Sequence, residues 1–165
     1  MKKLFLLSIF AIFAITSLSA QGELKAGVNA GLITGDFSDG YSFNITLDVA
    51  YLWEASEQID AGIVTGYSHS LGKDVNGFTP DDVSFLPIAA AGRFNISEEF
   101  AVGVDLGYAV GINEGNDGGF YYAPRIQYNV SESLDLVLAY RGVSIDAGPI
   151  TLGFNTITLG VEFGL

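Results

Sequence analysis

Between Tyr41 and Trp53 every second residue is large and apolar. Tyr41, Phe43, Ile45, Leu47, Val49, Tyr51 and Trp53 alternate with Ser42, Asn44, Thr46, Asp48 and Ala50. A period of two puts the first set on one face of a strand and the second on the other. The apolar face is also sorted along its length, with aromatic rings at both ends and aliphatic side chains between. A soluble sheet has no reason to sort its apolar face by height. A bilayer does, because amphipathic rings settle at its two interfaces and hydrocarbon fills the middle. The segment predicts a membrane-crossing strand.

The pattern repeats along the chain and predicts eight strands, near 24–34, 41–53, 58–69, 83–94, 99–111, 119–129, 134–143 and 151–164. Strands two, four and six are followed by similar short turns: Ala55-Ser56-Glu57-Gln58-Ile59, Ile96-Ser97-Glu98-Glu99-Phe100 and Val130-Ser131-Glu132-Ser133-Leu134. The other connections, 35–40, 70–82, 112–118 and 144–150, are longer and rich in Gly and Asp. Short turns alternating with long loops separate the periplasmic and extracellular ends of an outer-membrane barrel. The expected fold is all-β: an eight-stranded antiparallel up-and-down transmembrane β-barrel with both ends periplasmic.

Residues 1–20 read as a cleaved signal peptide. Lys2 and Lys3 precede the apolar run Leu4–Ile15, and Thr16-Ser17-Leu18-Ser19-Ala20 supplies small residues for cleavage before Gln21. The barrel domain is then expected over 21–165. Removing Lys2 and Lys3 from the seven basic residues leaves five against 19 acids, a net charge of −14. Phosphate backbones would be repelled, so no nucleic-acid partner is expected. The chain has no cysteine, which excludes a lipoprotein anchor and disulfide staples.

Middle positions of the outward faces are aliphatic, as at Val28, Ile63, Ile88, Leu106, Leu138 and Leu159. Toward the long loops stand Tyr67, Phe85, Tyr108, Phe120, Tyr122 and Tyr140, and toward the short turns Tyr51, Trp53, Phe94, Phe100, Tyr128 and Phe163. The opposite faces carry Lys25, Asp48, Asp60, Arg93, Asp105, Arg125, Gln127, Asp135, Arg141 and Glu162. An eight-stranded barrel is wide enough only to be filled by its own side chains. Charges in such a lumen are expected to pair, forming a plug.

On these features the chain resembles the small eight-stranded outer-membrane proteins of the OmpA/OmpX type, the outer membrane protein β-barrel domain or porin family. The resemblance covers the whole mature chain. It implies residence in the outer membrane of a Gram-negative-type bacterium, among outer-membrane lipids and lipopolysaccharide. The last strand, Ile157 to Leu165, resembles the signal read by the barrel-assembly machinery, although members usually end on an aromatic ring and this chain ends on Leu165. Phe154 breaks the expected outward phase of that strand, which predicts a bulge near Asn155.

Two clusters invite a chemical reading. His69, the only histidine, lies at the long-loop end of strand three. A histidine can activate a serine when a carboxylate orients it, as in barrel enzymes that modify lipid A. Ser68 and Ser70, however, point to the other face. The long loops also hold Asp36, Asp39, Asp74, Asp81, Asp82, Glu114, Asp117 and Asp146 against Lys73 alone, net −7. Hard divalent cations favour such oxygens, and Asp36, Asp39, Asp81, Asp82 and Asp117 make a speculative cation rim. Solvated loop charge is the plainer reading. The expectation is a structural or surface-interaction barrel with a plugged lumen, no catalytic activity, no cofactor and an unidentified extracellular partner. A narrow passive channel or hydrophobic-compound transporter is the alternative, and a lipid-A-modifying enzyme using His69 the third.

Overall fold

Strand β1 (Gly22–Gly35) pairs with β2 (Tyr41–Ser56) on one edge and with β8 (Ile150–Gly164) on the other. The second pairing, running from Lys25↔Gly164 to Gly35↔Phe154, closes the sheet. Between them β3 (Ile59–Gly72), β4 (Val83–Asn95), β5 (Phe100–Gly111), β6 (Gly119–Ser131) and β7 (Leu134–Ala147) follow in sequence order, each antiparallel to its neighbours. The computed structural model describes residues 22–165, so the expected signal peptide lies outside the described residues. Gly22 and Leu165 lie at the short-turn end, where the Leu165 amide donates to the Leu24 carbonyl.

Alternation holds along the strands. On β2 the inward Asn44, Thr46, Asp48, Ala50 and Leu52 are buried, while Phe43, Ile45, Leu47, Val49 and Trp53 are exposed. The short turns are confined to 57–58, 96–99 and 132–133. Three of the opposite connections are the longer loops 36–40, 73–82 and 112–118. The fourth departs from expectation. Rather than a loop over 144–150, β7 and β8 stay paired up to Ala147↔Ile150, and Gly148-Pro149 alone turns the chain. Gly148 adopts φ +75, a conformation open mainly to glycine, so the Gly and Pro read as loop residues are a tight turn.

Three aromatic assignments also change. Phe85 is not in the outer girdle; it is 2% exposed inside the barrel. Its odd number puts it in phase with inward Arg93 and out of phase with outward Ile88 and Phe94. Tyr41 turns inward because the register of β2 against β3 shifts between Tyr41 and Asn44. No bulge accompanies Phe154: β8 keeps register with both neighbours, and Phe154 points inward in phase with Thr156, Thr158 and Glu162.

Pro87 and Pro124 lack the amide a ladder needs. Pairing of β3 with β4 skips from Thr65↔Ile88 to Ser68↔Phe85, and that of β6 with β7 from Tyr122↔Gly142 to Arg125↔Ala139. The register is unchanged across both interruptions, so the wall is continuous around them. A barrel closed in this way is expected to stay folded in cold detergent and to migrate differently on electrophoresis before and after boiling. Identical mobility, with a helical circular dichroism spectrum, would contradict the fold.

Candidate functional site

Four buried acids meet four buried bases inside the barrel. Arg141 on β7 holds Asp48 on β2 through both carboxylate oxygens, with Nη1–Oδ1 at 3.1 Å and Nη2–Oδ2 at 2.6 Å. Its Nε donates to Thr158 at 3.1 Å and its Nη1 to the Tyr121 hydroxyl at 3.2 Å, while Asn29 donates to Asp48 at 2.9 Å. Arg93 reaches Asp105 at 2.6 Å, Asp105 lies 4.0 Å from Arg125, and Arg125 pairs with Glu162. Lys25 pairs with Asp135 at 2.8 Å, and Gln127 donates to the same oxygen. A bidentate guanidinium fork fixes geometry as well as charge, so this network also sets how the strands face one another across the lumen. Neighbouring glycines make room: a Cβ at Gly103 would stand 2.5 Å from Arg93 Cδ. Asp60 lies apart from the pairs, partly exposed, accepting from Asn95 at 2.9 Å.

Above Arg141 the lumen turns apolar. Phe154 touches Phe37, Tyr41 and Phe85, with ring centroids 5.2, 5.3 and 5.4 Å away, and Ile33, Tyr121 and Val143 complete the cluster. Phe37 comes from the first loop, which therefore folds over the barrel mouth. The void left between this plug and Arg141 is about 20 Å³, room for no more than a water. At the other end the lumen opens as a vestibule of about 580 Å³ on the short-turn side, lined by Lys25, Arg93, Gln127 and Asp135 at its floor and by Glu57, Glu98 and Glu132 toward the turns. The interior is thus open below, charge-paired in the middle and apolar above.

Three of the acids at the long-loop end brace backbone: Asp36 accepts from the Gly153 amide, Asp82 from Gly72 and Asp74 from Gly77. The proposed rim of Asp36, Asp39, Asp81, Asp82 and Asp117 does not come together as a cation site: among the described residues no three His, Cys, Asp or Glu side chains converge to hold a metal.

His69 faces outward beside Ser84, its partner in the β3–β4 register, with Nδ1 2.9 Å from Ser84 Oγ. Its Nε2 lies 3.4 Å from Asp82. Tyr67 stacks on the imidazole and its hydroxyl is 3.0 Å from Ser84 Oγ. Sequence reasoning looked for a serine next to His69 in the chain and so missed Ser84, fifteen residues away; only the register brings the two together. It missed the plug for a similar reason, since Phe37, Phe85 and Phe154 lie on three different segments.

The chain matches the family model described as outer membrane protein beta-barrel domain over residues 4–164. No curated protein matches in sequence. Among solved structures, the attachment invasion locus protein of Yersinia pestis is similar with a TM-score of 0.57 at 16% identity, over 88% of this chain and 98% of that one. A de novo designed transmembrane β-barrel gives 0.57 at 15% identity over 89% and 98%. Neisserial surface protein A gives 0.51 at 12% identity over 87% and 97%. At these identities the likeness is one of fold.

Removing one partner of a buried pair leaves the other charge uncompensated, typically at about 3–5 kcal/mol. Arg141→Ala strands Asp48 deepest in the lumen and is expected to lower the urea midpoint of the detergent-folded barrel clearly. Lys73→Ala, on an exposed loop, is expected to leave it within error. Equal midpoints for the two variants would show that the Arg141 fork contributes nothing.

Proposed function

The chain belongs to the outer membrane protein β-barrel domain family, and from that premise we propose a structural and surface-interaction role with a lumen sealed against transport. The observation that carries the reading is the Phe37–Tyr41–Phe85–Phe154 plug seated on the Arg141–Asp48 pair, with a void of only about 20 Å³ between them. An ion moving along the axis would have to break the charge pairs and then enter an apolar layer, and each step is unfavourable. The unbroken register beside Pro87 and Pro124 argues against a lateral route for hydrophobic compounds.

In this reading the protein is held among outer-membrane lipids and lipopolysaccharide by its aromatic girdles, after delivery to the assembly machinery by its last strand. The loops then supply the interaction surface. The Yersinia pestis protein has been solved in complex with the heparin analogue sucrose octasulfate. The three long loops of this chain carry seven acids and one lysine, the wrong sign for such a polyanion, so its extracellular partner is expected to be cationic.

Planar-bilayer recording tests the seal. The wild-type barrel is expected to give no steady conductance, whereas Phe85→Ala with Phe154→Ala, which thins the plug from two strands, is expected to raise the frequency of openings. Steady conductance from the folded wild-type protein would overturn the sealed-lumen reading and favour a channel.

A further inference from the structure

We propose that Ser84, His69 and Asp82 form a serine acyl-transfer site on the outer wall of the barrel, acting on acyl esters of outer-leaflet lipids. The placement comes from the sheet. His69 and Ser84 sit directly opposite each other on β3 and β4, so their side chains share the outward face. Asp82 precedes Ser84 by two residues and reaches the same imidazole from the loop side.

The polar contacts run in a productive direction. Asp82 uses one oxygen to accept from the Gly72 amide at 2.8 Å and turns the other toward His69 Nε2. Of the two neutral tautomers, the one with its proton on Nε2 faces that carboxylate and leaves the Nδ1 lone pair for the Ser84 hydroxyl at 2.9 Å. Tyr67 can donate to Ser84 Oγ from 3.0 Å, so the serine receives one hydrogen bond and gives one to the base. A clasp serving only to hold strands together has no need of an acid on the far nitrogen of the histidine. A nucleophile–base–orienter relay does.

Location selects the substrate. Tyr67 and Tyr108 mark the outer girdle, with exposed Leu86, Ile88 and Val110 beside them on β4 and β5, and exposed Ile63, Ala90 and Leu106 continue the lipid-facing wall below. Amphipathic rings of a girdle stand at headgroup level, where the ester bonds of lipids lie and the acyl chains run down along the wall. Both phospholipids and the lipid A part of lipopolysaccharide present acyl esters there.

The step balances without a co-reactant other than water. Ser84 Oγ attacks the ester carbonyl as its proton passes to His69 Nδ1. The ester C–O bond breaks and the leaving alcohol takes that proton. Water then attacks the acyl-serine through the same base, releasing the fatty acid and restoring Ser84. Tyr67, whose hydroxyl lies 3.0 Å from Ser84 Oγ, is the side-chain donor placed beside the reacting oxygen. At rest the site is closed: Ser84 is 3% exposed, with Asn113 and Asn116 of the 112–118 loop bonded to its backbone. Access therefore requires this loop to lift from Ser84.

The test uses the folded full-length barrel, with heat-modifiable mobility verifying that each variant is folded. A fluorophosphonate probe in detergent micelles is expected to label Ser84, located by peptide mapping. Ser84→Ala should abolish labelling, and His69→Gln should slow it by about 100-fold or more, the usual contribution of a general base. Asn113→Gly with Asn116→Gly should speed labelling by freeing the loop. Fatty-acid release is then followed from vesicles of phospholipid alone and from vesicles containing lipopolysaccharide, which distinguishes the two ester sources. The proposal is overturned if the folded wild type takes no label, if His69→Gln labels as fast as wild type, or if neither vesicle releases fatty acid. None of these outcomes bears on whether the lumen is sealed, which the conductance measurement addresses separately.

Discussion

Hydrocarbon cannot hydrogen-bond a peptide group, so every backbone N–H and C=O within the bilayer must find its partner in the protein. For this chain the partner of the first strand is the last. The β1–β8 ladder from Lys25↔Gly164 to Gly35↔Phe154 removes both sheet edges, and the rest of the molecule follows from that closure. Once the sheet is a tube, alternation divides each strand into residues that meet lipid and residues that fill the bore. Eight strands make the bore narrow, so polar side chains inside it have little space or water and must satisfy one another.

The lumen meets this demand in part, with Arg93 Nε and Nη2, Arg125 Nε and Glu162 Oε1 left without a protein partner, and in an order that runs along the axis. Lys25, Arg93, Gln127 and Asp135 face the vestibule, where solvent can reach them. Arg141 and Asp48 lie farther in and compensate by denser bonding, with Thr158, Tyr121 and Asn29 taking up the remaining donors and acceptors. Beyond them polar groups give way to aromatic rings, and the bore closes as a hydrophobic core would. The buried bases and acids of the lumen cancel. The excess negative charge of the described residues is therefore carried by the two ends of the barrel, where water screens it.

Much of the architecture was legible because it depends on a period of two. Strand number, the outward aliphatic belt and the inward placement of the charges all follow from parity at residues such as Leu47 against Asp48. Where parity was not applied strictly, the reading failed. Phe85 was grouped with outward aromatics by its chemistry, although its phase on β4 is that of Arg93. Phe154 looked like a defect because an inward ring had no evident purpose until Phe37 and Tyr41 were placed above it. Pairing was not legible at all. Arg141 and Asp48 are 93 residues apart and Lys25 and Asp135 110 apart, distances that only barrel closure and strand stagger span. The Ser84–His69 contact needed the same information at closer range, the register of one hairpin. Loop 144–150 failed for a local reason, since glycine and proline mark a two-residue turn as readily as a long loop.

The central claim is that the sorted outward face meets lipid at a defined height. Trp53 is the single tryptophan and stands on that face of β2 at its short-turn end, 41% exposed. Its fluorescence in bilayers carrying brominated acyl chains reports depth directly. The account predicts strong quenching when bromine lies near the headgroup end of the chains, weaker quenching when it lies near the bilayer centre, and little quenching by an aqueous agent such as iodide. Strong iodide quenching with no response to brominated lipid would place Trp53 in water and contradict the assignment of this face to the membrane.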